Sequence, residues 1–275
     1  MTTIPVRAVV PHIGSAGAES RRWRAGLRQT MRAEWTKFVS LRSIRWTLLV
    51  TAVGTLLVTF LATHGALHHP PGWYQGFDPT NQSLSGLAIG SLAIGVLGVL
   101  VVTGEYGTGT MKASLAAMPR RGVLLTAKIA VVGLSTLVVG EVLSFLSFLE
   151  GQAVLSGGAP TATLGQPGVL RAVALSGAFL ALFALLGLGL GTVIRHTAGA
   201  IAVFAGVTLL APILLNSISH FIARFAPELI FANSVAATVN QHNDAVSVTI
   251  GVVCMLAYCA AALGLGAFVL HRRDA

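Results

Sequence analysis

The chain has 275 residues, of which 54% are hydrophobic and only 10% charged, with a formal net charge of +9. Ordinary soluble domains carry about 25% charged residues, so this composition excludes a soluble globular enzyme and points to a membrane protein. The excess of positive charge does not by itself imply a nucleic-acid partner, because where the charges sit matters more than their sum. The two cysteines, Cys254 and Cys259, share one apolar run and imply neither a disulfide framework nor a metal site.

In chain order, residues 1–20 read as a disordered arm without the continuous apolar core of a cleavable signal peptide. Patterned sequence begins near Arg21, which leaves Met31 open as an alternative start. From Arg21 to Arg45, Trp23, Leu27, Met31, Trp35, Phe38 and Leu41 fall within about a third of a turn at 100° per residue. This predicts an interfacial helix with basic residues toward anionic headgroups. Arg24, Glu34 and Arg42 interrupt the stripe and must snorkel or pair. The alternative is a plain basic flank without a regular helix.

Six apolar runs are long enough to cross a hydrocarbon core of ~30 Å as helices. They are Trp46 to Thr63, Leu84 to Thr103, Val123 to Leu149, Ala172 to Ile194, Thr197 to Ser219 and Val246 to Leu270. Backbone groups in lipid must bond within their own segment, and runs of this length select helices over barrel strands. The expected fold is an all-α polytopic membrane domain over 21–275. Of the 18 Lys and Arg, this topology leaves only Arg171 and Arg224 on the side opposite the termini. The positive-inside rule then predicts cytoplasmic termini and a cytoplasmic loop between spans two and three.

The first outer loop holds His64, His68 and His69. With no cysteine or paired carboxylates nearby beyond Asp78, it reads as a polar interfacial loop, and no metal is expected. Residues 220–244 are too apolar for a free loop and too interrupted for a crossing. They read as short helices broken at Pro227, either re-entrant under a cover of protein or interfacial. Small residues four apart, as at Gly86 and Gly90, Ala198, Ala202 and Gly206, Ala260 and Gly264, or Ala262 and Gly266, predict close helix packing. The Gly187, Gly189, Gly191 run follows no strand, so a dinucleotide site is not expected.

Glu141 is the one acid well inside a span, where an ionised carboxylate costs roughly 2.5–3.5 kcal/mol on insertion scales. It reads either as a cavity-lining or proton-responsive group, or as a helix-to-helix hydrogen bond with a neighbouring Ser, Thr or Asn. No catalytic constellation, cofactor motif or phosphate-binding loop is present. ATP hydrolysis by this chain alone is therefore not expected.

The polar stretch from Thr103 to Lys128 is the only interior one with several charges close together. Thr110 is placed to cap a short helix from Met111 to Met118, ended by Pro119. Met111, Leu115 and Met118 form a small apolar face that must bury against something. Here the chain resembles the exporter-type permeases of the type-2 ABC transporters. The matching residues are Ala33 to Lys37 with Leu41-Arg42-Ser43, then Glu105 to Thr110, Leu115 to Arg121 and Lys128, and finally Arg195 to Ala200 and Arg272 to Asp274.

The resemblance implies that Glu105 to Arg121, including Thr110, Met111, Leu115, Met118, Pro119 and Arg120, form a coupling helix that docks on a separate ATPase subunit. It also implies that Arg21 to Arg45 form the interface helix, and that two permeases shape the substrate pathway in the cell membrane. The alternative, from another class, is a polytopic anchor or assembly factor without a transport cycle.

Overall fold

The computed structural model describes residues 15–117, 120–237 and 246–272. No strand occurs among them. Helix α1 (Ser15–Ser40) ends where Leu41 adopts an extended backbone, φ −69° and ψ 119°, and α2 (Arg42–Ala66) begins the first span. A short α3 (Pro79–Ser83) precedes α4 (Leu87–Thr108), α5 (Thr110–Ala117) and the long α6 (Arg121–Leu155). Helix α7 (Val169–Ile194) leads into a fifth span made of α8 (Thr197–Ala205), a π-helical turn (Gly206–Leu210) and α9 (Ala211–Ile218). Then come α10 (His220–Ala223), α11 (Pro227–Val235) and α12 (Val248–Arg272).

Six helices are long and apolar enough to cross a membrane, and they coincide with the six runs read from the sequence. The chain is an all-α multi-pass membrane protein. The arm expected over 1–20 meets α1 from Ser15 on, and its earlier residues lie outside those described.

Helix α7 is the hub. Of its apolar window 67% is buried, against 22% for the first and sixth spans and 17% for the fifth. Lipid tails are as apolar as leucine, so helices associate through close packing rather than hydrophobic transfer. The glycine run supplies that packing on two faces. A methyl group at Gly187 would lie 2.1 Å from the Gly95 carbonyl oxygen of α4, and one at Gly189 would lie 2.7 Å from the Ala262 Cβ of α12.

Helix α2 uses a different device, in which Thr51, Thr55, Thr59 and Thr63 recur every four residues and are all buried. They meet Gly86 and Gly90, and a methyl group at Gly86 would lie 2.1 Å from the Thr55 carbonyl oxygen. The sequence reading found these glycines and missed the threonines facing them.

At the end opposite the termini, Asp78 opens α3. Its Oδ1 accepts from the backbone N–H of Thr80 at 2.9 Å and of Asn81 at 3.2 Å, and its Oδ2 accepts from the N–H of Ala237 at 2.9 Å. Pro227 starts α11, where its missing N–H costs nothing. Ile230 and Phe231 of that helix are buried, and the Phe231 ring lies tilted against Phe179 and edge-on to Phe183 of α7, at 5.8 and 5.9 Å between centroids. The segment before the last span therefore packs into the bundle wall. Residues 238–244 of that expected segment lie outside those described.

Candidate functional site

Span two does not stop where the apolar run stops. Helix α4 continues through Thr108 and ends at Gly109, whose left-handed backbone (φ 72°) lets the chain reverse at once into α5. Glu105 thus sits on the last turn but one of a transmembrane helix, and Lys128 lies two turns inside α6. Both are buried, at 8% and 2% exposure. What reads in sequence as a long polar loop is a short connection around α5.

These two side chains meet α1. Lys128 Nζ donates to Glu34 Oε2 at 2.5 Å and to Glu105 Oε1 at 3.0 Å. Lys37 Nζ donates to Glu34 Oε1 at 2.7 Å, to Glu105 Oε1 at 3.1 Å and to Ser114 Oγ of α5 at 2.9 Å. Two carboxylates and two ammonium groups therefore form one neutral cluster joining α1, α4, α5 and α6. Charges removed from water are tolerated only when paired and hydrogen-bonded in this way. Burial alone pushes the Glu34 carboxyl up, but the two lysines outweigh it and hold it below the usual carboxylate range. Burial likewise disfavours the charged form of Lys37, and the two glutamates overturn it, raising its ammonium above the usual lysine range. Glu105 Oε2 remains buried without a hydrogen-bond partner among the described residues.

The cluster corrects the reading of α1. Glu34 interrupts the apolar stripe in sequence, yet it lies on the face that packs against α6, together with Thr30 and Phe38. Leu27 and Met31 are partly buried, Trp35 is 53% exposed, and the side chain of Trp23 lies outside those described. The face is set by the ion pairs, so it is turned toward one edge of the hydrophobic stripe.

Helix α5 also departs from expectation. Met111 is only 3% exposed and belongs to the chain's own core, with Leu115 partly buried against it. Through Met111 and Leu115 this apolar face packs against the chain's own body. Thr110 makes no capping bond to the backbone of α5. Its hydroxyl lies 2.9 Å from that of Thr108. Met118 and Pro119 lie outside the described residues. Among the described residues, the exposed surface of α5 and its exit consists of Thr110, Lys112, Ala113, Ala116 and Arg120.

Arg121 closes the stretch that the resemblance assigns to coupling. Its Nη1 donates to the Leu270 carbonyl at 2.6 Å and the His271 carbonyl at 3.3 Å, capping the C-terminus of α12. Arg195 donates from Nη2 to the Val269 carbonyl at 3.2 Å, and its guanidinium lies 5.2 Å from the centre of the Tyr106 ring. Cations are favourable at a helix C-terminus, where the last carbonyls are unpaired and the helix dipole is negative. Arg195 has a left-handed backbone (φ 61°) that ends α7, and His196 Nδ1 accepts from the Gly199 N–H at 3.2 Å to start α8. The Arg-His pair is the turn between spans four and five.

Glu141 is partly buried on α6 at its crossing with α7. A methyl group at Gly177 would lie 2.7 Å from both its backbone and its carboxyl carbon. Among the described residues it makes no hydrogen bond to a Ser, Thr or Asn of a neighbouring span. Glu228 on α11 faces Ser91 of α4 at 3.5 Å, and burial pushes its carboxyl up to about 7. The sequence reading passed over Glu228. Its one signal was a carboxylate just after the proline of an apolar interrupted segment. No group of three or more His, Cys, Asp or Glu residues suited to a metal occurs among the described residues.

A search of the curated proteins finds no match. A family model described as ABC-2 family transporter protein matches residues 30–209, a stretch that begins in α1, takes in every member of the ion cluster and ends in the fifth span. That match covers most of the chain, which therefore belongs to the ABC-2 family of transporter membrane proteins.

Proposed function

We propose that this chain is the membrane-spanning subunit of an ATP-driven exporter in the cell membrane, with cytoplasmic termini, working as a dimer with a separate ATPase subunit. The observation that carries this reading is the ion cluster. It ties α5, the helix between spans two and three, to α1 and to the ends of two spans, so force applied at α5 reaches the bundle through Lys37, Glu105 and Lys128. The surface that meets the ATPase is the exposed side of α5, Lys112, Ala113 and Ala116, with Arg120 beside it. Met111 and Leu115 act from the other side, holding the helix in place. The distribution of Lys and Arg supports the orientation, with Arg171 and Arg224 alone at the far end.

A second permease is supported by two small-residue stripes that remain open. Ala198 and Ala202 on α8, and Ala260 and Gly264 on α12, are exposed. A methyl group at Gly264 would meet nothing within 4 Å. The stripe at Ala262 and Gly266, by contrast, is already used against α7. ATP hydrolysis is assigned to the partner, because this sequence carries no phosphate-binding loop.

The test is co-expression with candidate ATPase subunits, followed by affinity purification and measurement of ATP hydrolysis. The unmodified chain is expected to retain the ATPase. Ala116→Trp, which places bulk on the exposed side of α5, should release it at unchanged membrane level. If Ala116→Trp co-purifies and transports normally, α5 is not the docking element. If no hydrolysing subunit binds the unmodified chain, the anchor or assembly-factor reading replaces the exporter.

A further inference from the structure

Where α1 turns into α2 at Leu41, three helices leave a groove on the side of the bundle. Trp35 and Val39 of α1 and Leu134 and Val138 of α6 form its walls, and all four are about half exposed or more. Phe38 and Ile44 are buried along it, at 7% and 3% exposure. The groove has a volume of about 390 Å³, within the range of roughly 300–1,000 Å³ common for small-molecule sites. Of its lining residues only Arg45 and Ser135 are polar.

The charge lies at one end. Arg45 sits at the rim, and Arg42 is one turn earlier on α2. Together with Trp46 and Leu49 they line an adjoining recess of about 470 Å³. Both arginines are exposed, and neither makes an ion pair among the described residues. The nearby acids are already committed, since Glu34 and Glu105 pair with Lys37 and Lys128. Arg42 and Arg45 open the first span, which places them at headgroup depth, while Leu134 and Val138 lie within the third. Trp46 beside them suits the same interfacial level.

An apolar slot in the hydrocarbon layer with two free guanidinium groups at its mouth has a definite complement. That complement is an acyl chain attached to an anionic phosphate, because the planar fork of arginine matches phosphate oxygens. A second copy of this chain is a poor occupant, since it brings the same basic flank to a basic mouth. We propose that the groove between α1, α2 and α6 holds one anionic phospholipid, its acyl chain along Trp35 and Val138 and its phosphate between Arg42 and Arg45. The lipid thereby covers the joint between α1 and the first span. This site does not depend on the exporter reading, and either can fail without the other.

The test uses the full chain purified in mild detergent, stripped of lipid and supplied with phosphatidylglycerol or phosphatidylcholine of identical chains. Retained lipid is counted by native mass spectrometry. The unmodified protein should keep one phosphatidylglycerol per chain, preferred over phosphatidylcholine on the order of tenfold, as expected for two surface cations. Arg42→Gln with Arg45→Gln should lose the preference, and Val138→Trp, which fills the slot at an exposed position, should lose both lipids. Arg28→Gln with Arg32→Gln, exposed on α1 one to two turns before Trp35 and not among the groove's lining residues, should keep it. Equal retention of the two lipids by the unmodified protein overturns the proposal, as does a preference that survives the Arg42 and Arg45 change. Equal loss on changing Arg28 and Arg32 also overturns it, by showing diffuse surface charge. Efficient disulfide crosslinking of Val138→Cys between copies, without Cys254 and Cys259, overturns it in favour of a second copy.

Discussion

Glu34 and Glu228 are both carboxylates withdrawn from water, at opposite ends of the same bundle, and they are shifted in opposite directions. Glu34 has two lysines within hydrogen-bond reach and is held ionised. Glu228 has only the Ser91 hydroxyl at 3.5 Å and is pushed up to about 7. Burial acts in the same direction on both, so the partner, not the burial, decides the charge. The same contrast holds for the two ends as wholes. The end carrying the termini is tied together by full charges, in the cluster and in the two arginines that cap α12. The far end has no such cluster of paired charges among the described residues and is tied by Asp78 and Arg171 acting singly on backbone groups, by Gln152 and by aromatic packing.

The largest effect is expected from breaking the charged end. Lys128→Met leaves Glu34 and Glu105 facing each other with only Lys37 between them. Removing one partner of a buried pair costs about 3–5 kcal/mol. Thermal unfolding in detergent should show a loss of that order, and Glu34→Met added to Lys128→Met should recover most of it, because Lys37 and Glu105 then remain as a balanced pair. If the double variant is no better than the single one, the cluster is not held by charge balance.

At the far end a smaller effect is expected from Asp78→Ala. This removes the cap of α3 and the tie to Ala237, and loss of such a cap typically costs about 0.5–2 kcal/mol. Hydrogen exchange should quicken at Thr80, Asn81 and Ala237 while the amides of α1 are unchanged. Quickening at both ends would show that they unfold as one unit.

The sharpest comparison is in pH dependence. Glu34 is lowered in the folded state, so its contribution is present above the unfolded value of about 4.3 and is lost as pH falls through its folded value. Lys37 is raised, so its contribution is present below about 10.4 and is lost as pH rises through its folded value. Between those limits Glu34 and Lys37 add no slope. Glu228 is raised, so the folded state binds the extra proton, and stability falls as pH climbs from about 4.3 through about 7. The melting temperature should therefore decline gently across that window, and Glu228→Gln should flatten it. A slope unchanged by Glu228→Gln places its origin elsewhere.

By itself the amino-acid sequence determined the class, the six spans and their limits to within a few residues, because runs of about 20 apolar residues have one stable solution in lipid. It also marked the charged stretch between spans two and three, and the resemblance there agrees with the family match over residues 30–209. Only the tertiary structure decided what those charges do. Glu34 and Lys128 are 94 residues apart and pair directly, and nothing in local pattern relates them. Periodicity says that α1 has an apolar face but not which edge turns inward, because the ion pairs of Glu34 hold its edge buried while Trp35 stays 53% exposed. The same limit applies to Met111 and Leu115. An apolar face on a short helix must be covered, and only the fold shows that its own chain covers it.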